Sequence, residues 1–202
     1  MIKVFVLLLC IPLGVFLLML YQKPNVQQEN LLNPLPQNKP FLSVTPNPIQ
    51  ETEVHTIDGT MKVLMEKRTT KENAQIYTFL VSDISGKNKR TLFTKTASVS
   101  STMILSPNSW SPDGKYLFIR ENNKDSFTIF VFKASGNAFL EGQQYIDVVP
   151  LFTKRKTTDR VSDVTGWDAP GLLHVKTVLD SNVKGPSYWF DISSQVFLQL
   201  AS

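Results

Sequence analysis

The sequence predicts an all-β domain of about three repeated antiparallel units, preceded by one N-terminal transmembrane helix and a proline-rich linker. Three observations carry this. Beyond Glu51 the chain is a series of short β-rich runs broken by turn residues. No stretch there sustains an apolar period of 3.6 residues, so no amphipathic helix is expected. Residues 2–21, "IKVFVLLLCIPLGVFLLMLY", carry Lys3 as their only charge.

That first segment has the roughly 20 apolar residues a helix needs to cross a bilayer core of about 30 Å. Pro12 and Gly14 are tolerated in membrane helices, where neighbouring groups satisfy the freed backbone. A cleaved signal peptide would end in a small-residue site, whereas this segment ends in the bulky "LMLYQKPN". A lipoprotein signal would use Cys10, the single cysteine, but Leu9 stands before it where a small residue is expected. The leading expectation is an uncleaved anchor over 1–21, with cleavage and lipidation as alternatives. Lys3 and Lys23 flank the segment, so charge gives little orientation. A short N-terminal tail before a large C-terminal part behaves as a signal anchor, placing the domain outside the cytoplasm.

Residues 22–50 hold six prolines, many Asn and Gln and no glycine, which reads as a semi-rigid spacer. Fully extended, it spans roughly 90 Å at about 3.1 Å per residue. The first 50 residues contain Lys3, Lys23 and Lys39 against Glu29, leaving 18 basic and 16 acidic groups in residues 51–202. That balance lacks the concentrated basic face of nucleic-acid binders, so no nucleic-acid partner is expected. With Cys10 inside the anchor, the domain has no cysteine and cannot use disulfides.

Within residues 51–202 the expected strands are 61–67, 75–84, 90–95, 115–120, 126–133, 144–152, 172–178, 187–192 and 196–200, with "TEVHTI" (52–57) as a further candidate. The most marked turn is "WSPDGK", Trp110, Ser111, Pro112, Asp113, Gly114 and Lys115. Pro112 presets the first central dihedral, Asp113 bonds nearby amides and Gly114 accepts the left-handed conformation. The order of turn, strand, turn, strand recurs upstream from Asp58-Gly59 and downstream from Trp167 and Gly171. The leading glycines 59, 114 and 171 are spaced by 55 and 57 residues, a repeat architecture.

"WSPDGKYLFI" followed by "TIFVFKASG" resembles the repeat of TolB-like and WD40-like β-propellers, in which such a turn opens a blade. The resemblance is strongest over 108–136, weaker over 58–95 and weakest over 167–200. It implies a β-propeller-like array of about three blades and a structural role for the turn residues. Such propellers commonly have six blades. A homodimer completing a ring, a sandwich-like collapse, or a small ring closed by 52–57 pairing with the last unit each remain open.

Catalytic candidates are few. No G-x-S-x-G, H-E-x-x-H or paired C-x-x-C occurs, and the two histidines are His55 and His174. Asp83, Asp113, Asp163, Asp168 and Asp191 read as turn or strand-end residues, and "DVTGWD" (163–168) is a faint approach to a Ca²⁺ loop. The basic clusters 87–90 and 154–160 read as solvated loops or contacts to an anionic surface. Trp110, Trp167 and Trp189 are expected to pack between units. No cofactor or metal is expected. The leading functional expectation is a membrane-anchored, non-enzymatic extracytoplasmic domain that binds a protein partner, a surface ligand or a second copy of itself. A hydrolase or hydrolase-accessory domain, and a structural spacer subunit of an envelope assembly, are the alternatives.

Overall fold

A computed structural model describes residues 48–201 apart from 156, 157, 180 and 182. The expected anchor and nearly all of the expected linker lie outside the described residues. Among those described, no helix is long and apolar enough to cross a membrane.

Among the described residues, twelve strands form three antiparallel four-stranded sheets, each built from consecutive strands. Sheet 1 contains β1 (Gln50–His55), β2 (Met61–Thr69), β3 (Gln75–Asp83) and β4 (Arg90–Ala97). Sheet 2 contains β5 (Thr102–Ile104), β6 (Tyr116–Asn122), β7 (Phe127–Lys133) and β8 (Tyr145–Asp147). Sheet 3 contains β9 (Asp159–Ala169), β10 (Leu172–Leu179), β11 (Lys184–Asp191) and β12 (Val196–Gln199). Segment 52–57 does not pair with the last unit: β1 is the edge strand of sheet 1, laddered to β2 from Gln50↔Lys67 to His55↔Lys62, and β12 is the edge of a separate sheet.

Sheet 2 is apolar on both faces. Alternation sends Leu117, Ile119, Phe130 and Phe132 one way, onto Val63, Tyr77, Phe79 and Leu92 of sheet 1. Phe118, Ile129 and Val131 point the other way, onto Leu173, Val175, Tyr188 and Phe190 of sheet 3. Side chains of this size contribute about 1.5–3 kcal/mol each when fully buried. The near-continuous apolar runs "YLFI" and "TIFVF" are therefore what a strand covered on both sides requires.

The run 144–152 is not one strand. It pairs only over Tyr145–Asp147 and then turns into a helix, α1 (Val148–Arg155). Val148 and Phe152, one turn apart, are both fully buried, and their common face packs beside sheet 3. Lys154 and Arg155 end the helix where its dipole favours cations. The segment 154–160, expected as one loop, thus closes α1 and opens β9. Asp163, expected at a turn or strand end, lies inside β9, a long strand with three register shifts against β10, while Asp168 stands next to its last residue. Residues 163–168 are accordingly extended strand rather than a metal loop, and among the described residues no three His, Cys, Asp or Glu side chains group around a cation position.

The leading turns of sheets 1 and 2 repeat bond for bond. In sheet 1 the Thr56 hydroxyl donates to Asp58 Oδ1 (2.6 Å) and accepts from Met61 N–H (3.1 Å). In sheet 2 the Ser111 hydroxyl donates to Asp113 Oδ1 (2.7 Å) and accepts from Tyr116 N–H (2.9 Å). Gly59 and Gly114 follow with φ of 67° and 66°. In sheet 3 the leading turn is Pro170-Gly171, with Gly171 at φ 75°. A backbone bond joins the leading turn to the second turn in all three sheets: Ile84 N–H to Thr60 O, Ala134 N–H to Lys115 O, and, one residue earlier relative to the leading glycine, Ile192 N–H to Gly171 O, at 2.8–3.0 Å.

Indole groups tie each sheet to its predecessor. Trp110 Nε1 donates to Val54 O of sheet 1, and Trp167 Nε1 donates to Ser109 O of sheet 2, both at 3.0 Å. The acceptors stand at equivalent positions, two residues before Thr56 and Ser111.

Two outcomes follow. Gly114→Val places a branched side chain at φ +66° with its Cβ 3.4 Å from Thr56 Cγ2; it is expected to lower stability by about 1–2 kcal/mol, read as a lower Tm. Trp167→Phe removes one tie from Ser109 O, which still accepts from Phe118 N–H. Its expected cost is about 1 kcal/mol in denaturant unfolding.

Candidate functional site

The recurrent bond between Ala134 N–H and Lys115 O brings the leading turn of sheet 2 against its second turn. Lys115 and Lys133 therefore share one end of the sheet. The corresponding end of sheet 1 supplies Arg90, the first residue of β4, whose Nε and Nη2 both donate to Ala134 O, the former at 3.1 Å. A cleft of about 390 Å³ opens there, lined by Met61, Arg90, Gly114, Lys115, Tyr116, Lys133, Ala134 and Ser135. It joins three cationic side chains to small and apolar ones.

Each cation is held differently. Arg90 is pinned by the Ala134 carbonyl, which bridges the two sheets. Lys133 Nζ donates to Ala138 O (3.0 Å) and lies 5.0 Å from the centre of the Phe139 ring. Lys115 is largely exposed, its Nζ 3.3 Å from Asp113 Oδ2. Asp113 is partly buried, which alone would raise its pKa; the Ser111 hydroxyl, the Lys115 amide and the Lys115 charge outweigh that and hold the carboxyl below its ordinary value. It stays ionised at neutral pH and offsets one of the three positive charges. Behind the cleft, Tyr116 stacks between Phe139 and Trp167, each ring 6.2 Å away. The lining thus sets the side chains of Arg90, Lys115 and Lys133 beside those of Met61 and Tyr116.

The turn residues singled out from the sequence are dispersed among the three leading turns. Asp113, Gly114 and Lys115 border the cleft, while Asp58 and Gly59 form the equivalent turn of sheet 1. Trp110 and Trp167 are bonded between sheets, Ser111 is buried and bonded within its own turn, and Pro112 is exposed in that turn. Arg90 and Lys133 were not anticipated as partners. The repeat itself carries the signal for Lys133: its second turn begins with Lys where sheets 1 and 3 have Asp83 and Asp191, whose carboxylates bond Ser85 and Ser193.

The other end of the same inter-sheet face holds a second polar cluster. Lys95 of β4 reaches buried Glu121 at 2.6 Å and lies 4.8 Å from the centre of the Phe130 ring. Thr128 donates to Asp147. Burial pushes the Asp147 carboxyl above 3.8, with Glu121 adding to the rise, while Thr128 and Lys95 oppose it.

On the outer face of sheet 3, Asp168 Oδ2 accepts from Trp189 Nε1 (2.6 Å) and lies 3.2 Å from His174 Nδ1. His174 Nε2 is buried without a hydrogen-bond partner. A cavity of about 240 Å³ beside it is lined by His174, Lys184, Gly185, Pro186, Ser187, Leu200 and Ala201. Ser187 shares that cavity, yet no hydroxyl bonds Nε2. His55 pairs with Glu53, which also takes Lys62.

No family model matches the chain, and neither does any curated protein or solved structure.

Because Asp147 carries a raised pKa, its contribution to stability is fully present below 3.8 and is lost as pH rises through the native value. Asp147→Asn is expected to raise Tm at pH 7 and to flatten this part of the pH profile. A lower Tm at pH 7 would mean that attraction to Lys95 outweighs burial.

Proposed function

We propose that this chain is a membrane-anchored, non-enzymatic binding protein whose extracytoplasmic domain takes an acidic group of a protein or surface ligand. Residues 1–21 hold it at the membrane and residues 22–50 space it from the surface. Its three sheets act as successive blades of a β-propeller-like array, in keeping with the TolB-like character of "WSPDGKYLFI".

The single observation carrying the binding role is the cleft of about 390 Å³ whose lining includes Arg90 of sheet 1 and Lys115 and Lys133 of sheet 2. Arg90 and Lys133, each held by a backbone carbonyl, lose little freedom on meeting an anion, which favours recognition. The cleft lies beside an inter-sheet seam, so a ligand there touches both units. The hydrolase alternative would centre on His174, whose Nε2 meets no nucleophile; a spacer role leaves the convergence of three cations without a purpose.

The test is titration of the detergent-solubilised full chain with a short peptide ending in two glutamates, followed by calorimetry. Saturable binding is expected, weakening at least about tenfold in Lys115→Ala/Lys133→Ala and falling steeply as salt rises. Equal affinity in the double variant, or no saturable binding at low salt, would overturn the proposal.

A further inference from the structure

Two adjoining cavities mark sheet 3, the one of about 240 Å³ beside His174 and another of about 410 Å³ bordered by Ser162 and Lys176. Lys184, Gly185 and Ser187 of β11 line both. The side chains that carry chemistry there are the cations Lys176 and Lys184, the imidazole of His174 and the hydroxyls of Ser162 and Ser187. Among the described lining residues there is no carboxylate.

Register puts these groups on one face. Leu173 and Val175 of β10 point into the core, so His174 and Lys176 face outward, and Ser187 stands opposite Lys176. The ladder then shifts: Val178 pairs with Lys184, so a step of three along β11 answers a step of two along β10. In an unbroken strand Lys184 would face away from Ser187; the bulge turns it to the same side. Gly185 lets the strands close there, because a Cβ at that position would stand 2.5 Å from Thr177 Oγ1, and the Thr177 hydroxyl donates to Pro186 O (2.6 Å). The backbone itself therefore aims Lys184 into the groove.

His174 adds an unmet demand. Its Nδ1 lies 3.2 Å from Asp168 Oδ2, an oxygen also bonded by Trp189 Nε1 (2.6 Å). A carboxylate there keeps the ring proton at Nδ1, so in the neutral ring Nε2 is an acceptor, and it has no partner. The neighbouring cations call for an anion, while the bare acceptor calls for a proton. A phosphate monoester meets both needs, being an anion that still carries an exchangeable proton near neutral pH, with a second pKa of about 6. A sulfate ester is an anion of similar shape without that proton.

We infer that the outer face of sheet 3 binds the phosphate group of a small phosphate monoester. Its oxygens meet Lys184 and Ser187, and one P–O–H proton is shared with His174 Nε2. Lys184 and Ala201, both exposed, form the solvent side of the smaller cavity. The site shares no residue with the cleft at Arg90, Lys115 and Lys133 and does not rest on the reading of that cleft.

The test is calorimetric titration of the full chain in detergent with methyl phosphate and with methyl sulfate, at pH 7 and low salt. Methyl phosphate is expected to bind saturably and at least about tenfold more tightly than methyl sulfate. Lys184→Ala and His174→Leu should each weaken methyl phosphate at least about tenfold. His174→Leu should also bring the two probes to within about twofold of each other, which a merely structural role of the ring would not do. Lys115→Ala/Lys133→Ala should leave methyl phosphate binding unchanged. Equal affinity of the native chain for both probes would overturn the inference, as would the absence of saturation. So would binding that survives Lys184→Ala and is lost in the double variant, which would place the phosphate in the other cleft. Lys184 is exposed, so its variant should keep the native circular dichroism; if His174→Leu does not, Lys184→Ala and the comparison of probes decide. A failed glutamate-peptide titration leaves this result untouched.

Discussion

The structure depends on one constraint: the β6–β7 hairpin is apolar on both faces and has to be covered twice. Phe130 and Phe132 need sheet 1, while Ile129 and Val131, between and beside them on the same strand, need sheet 3. An antiparallel hairpin with one wet face would alternate in polarity, and this one does not. The order of the three sheets in space is therefore set by the composition of the middle one. The indole bonds from Trp110 and Trp167 add direction to that stacking, since each reaches back to the preceding sheet.

Much of this was legible in the sequence, for a physical reason. Turns such as Ser111-Pro112-Asp113-Gly114 are determined by their own residues, and strands such as β3 and β7 by unbroken β-branched and aromatic content. What was not legible is decided at a distance. β9 reads as polar and broken, with Asp159, Ser162, Asp163 and Gly166; it is a strand because β10 pairs along its whole length and tolerates three register shifts. The helix α1 begins with two valines after a strand-like run; Pro150 in its first turn is a local signal against a continued strand, and the burial of Val148 and Phe152 on one side favours helix. The cleft was half legible: Asp113, Gly114 and Lys115 adjoin in sequence, whereas Arg90 arrives from another sheet through the Ala134 carbonyl.

A repeated framework makes departures from the repeat informative. Where sheets 1 and 3 place an aspartate at the start of the second turn to bond its own serine, sheet 2 places Lys133, and that turn gives up the local carboxylate bond. Beside it stands Lys115 where sheet 1 has Thr60, joined through the backbone bond that all three sheets share. Turn stability has been relinquished at one point of the framework, and positive charge has accumulated there.

Because every sheet is a meander of consecutive strands, each can assemble from the chain already made, without waiting for distant segments. The ribosome therefore releases sheet 1 as a unit, then sheet 2, whose first face is covered at once. Its second face, bearing Phe118, Ile129 and Val131, stays bare until roughly the last forty residues emerge. During that interval the nascent chain presents one flat aliphatic surface beside its neighbours on the same message, which is the moment at which a holding chaperone has most to protect.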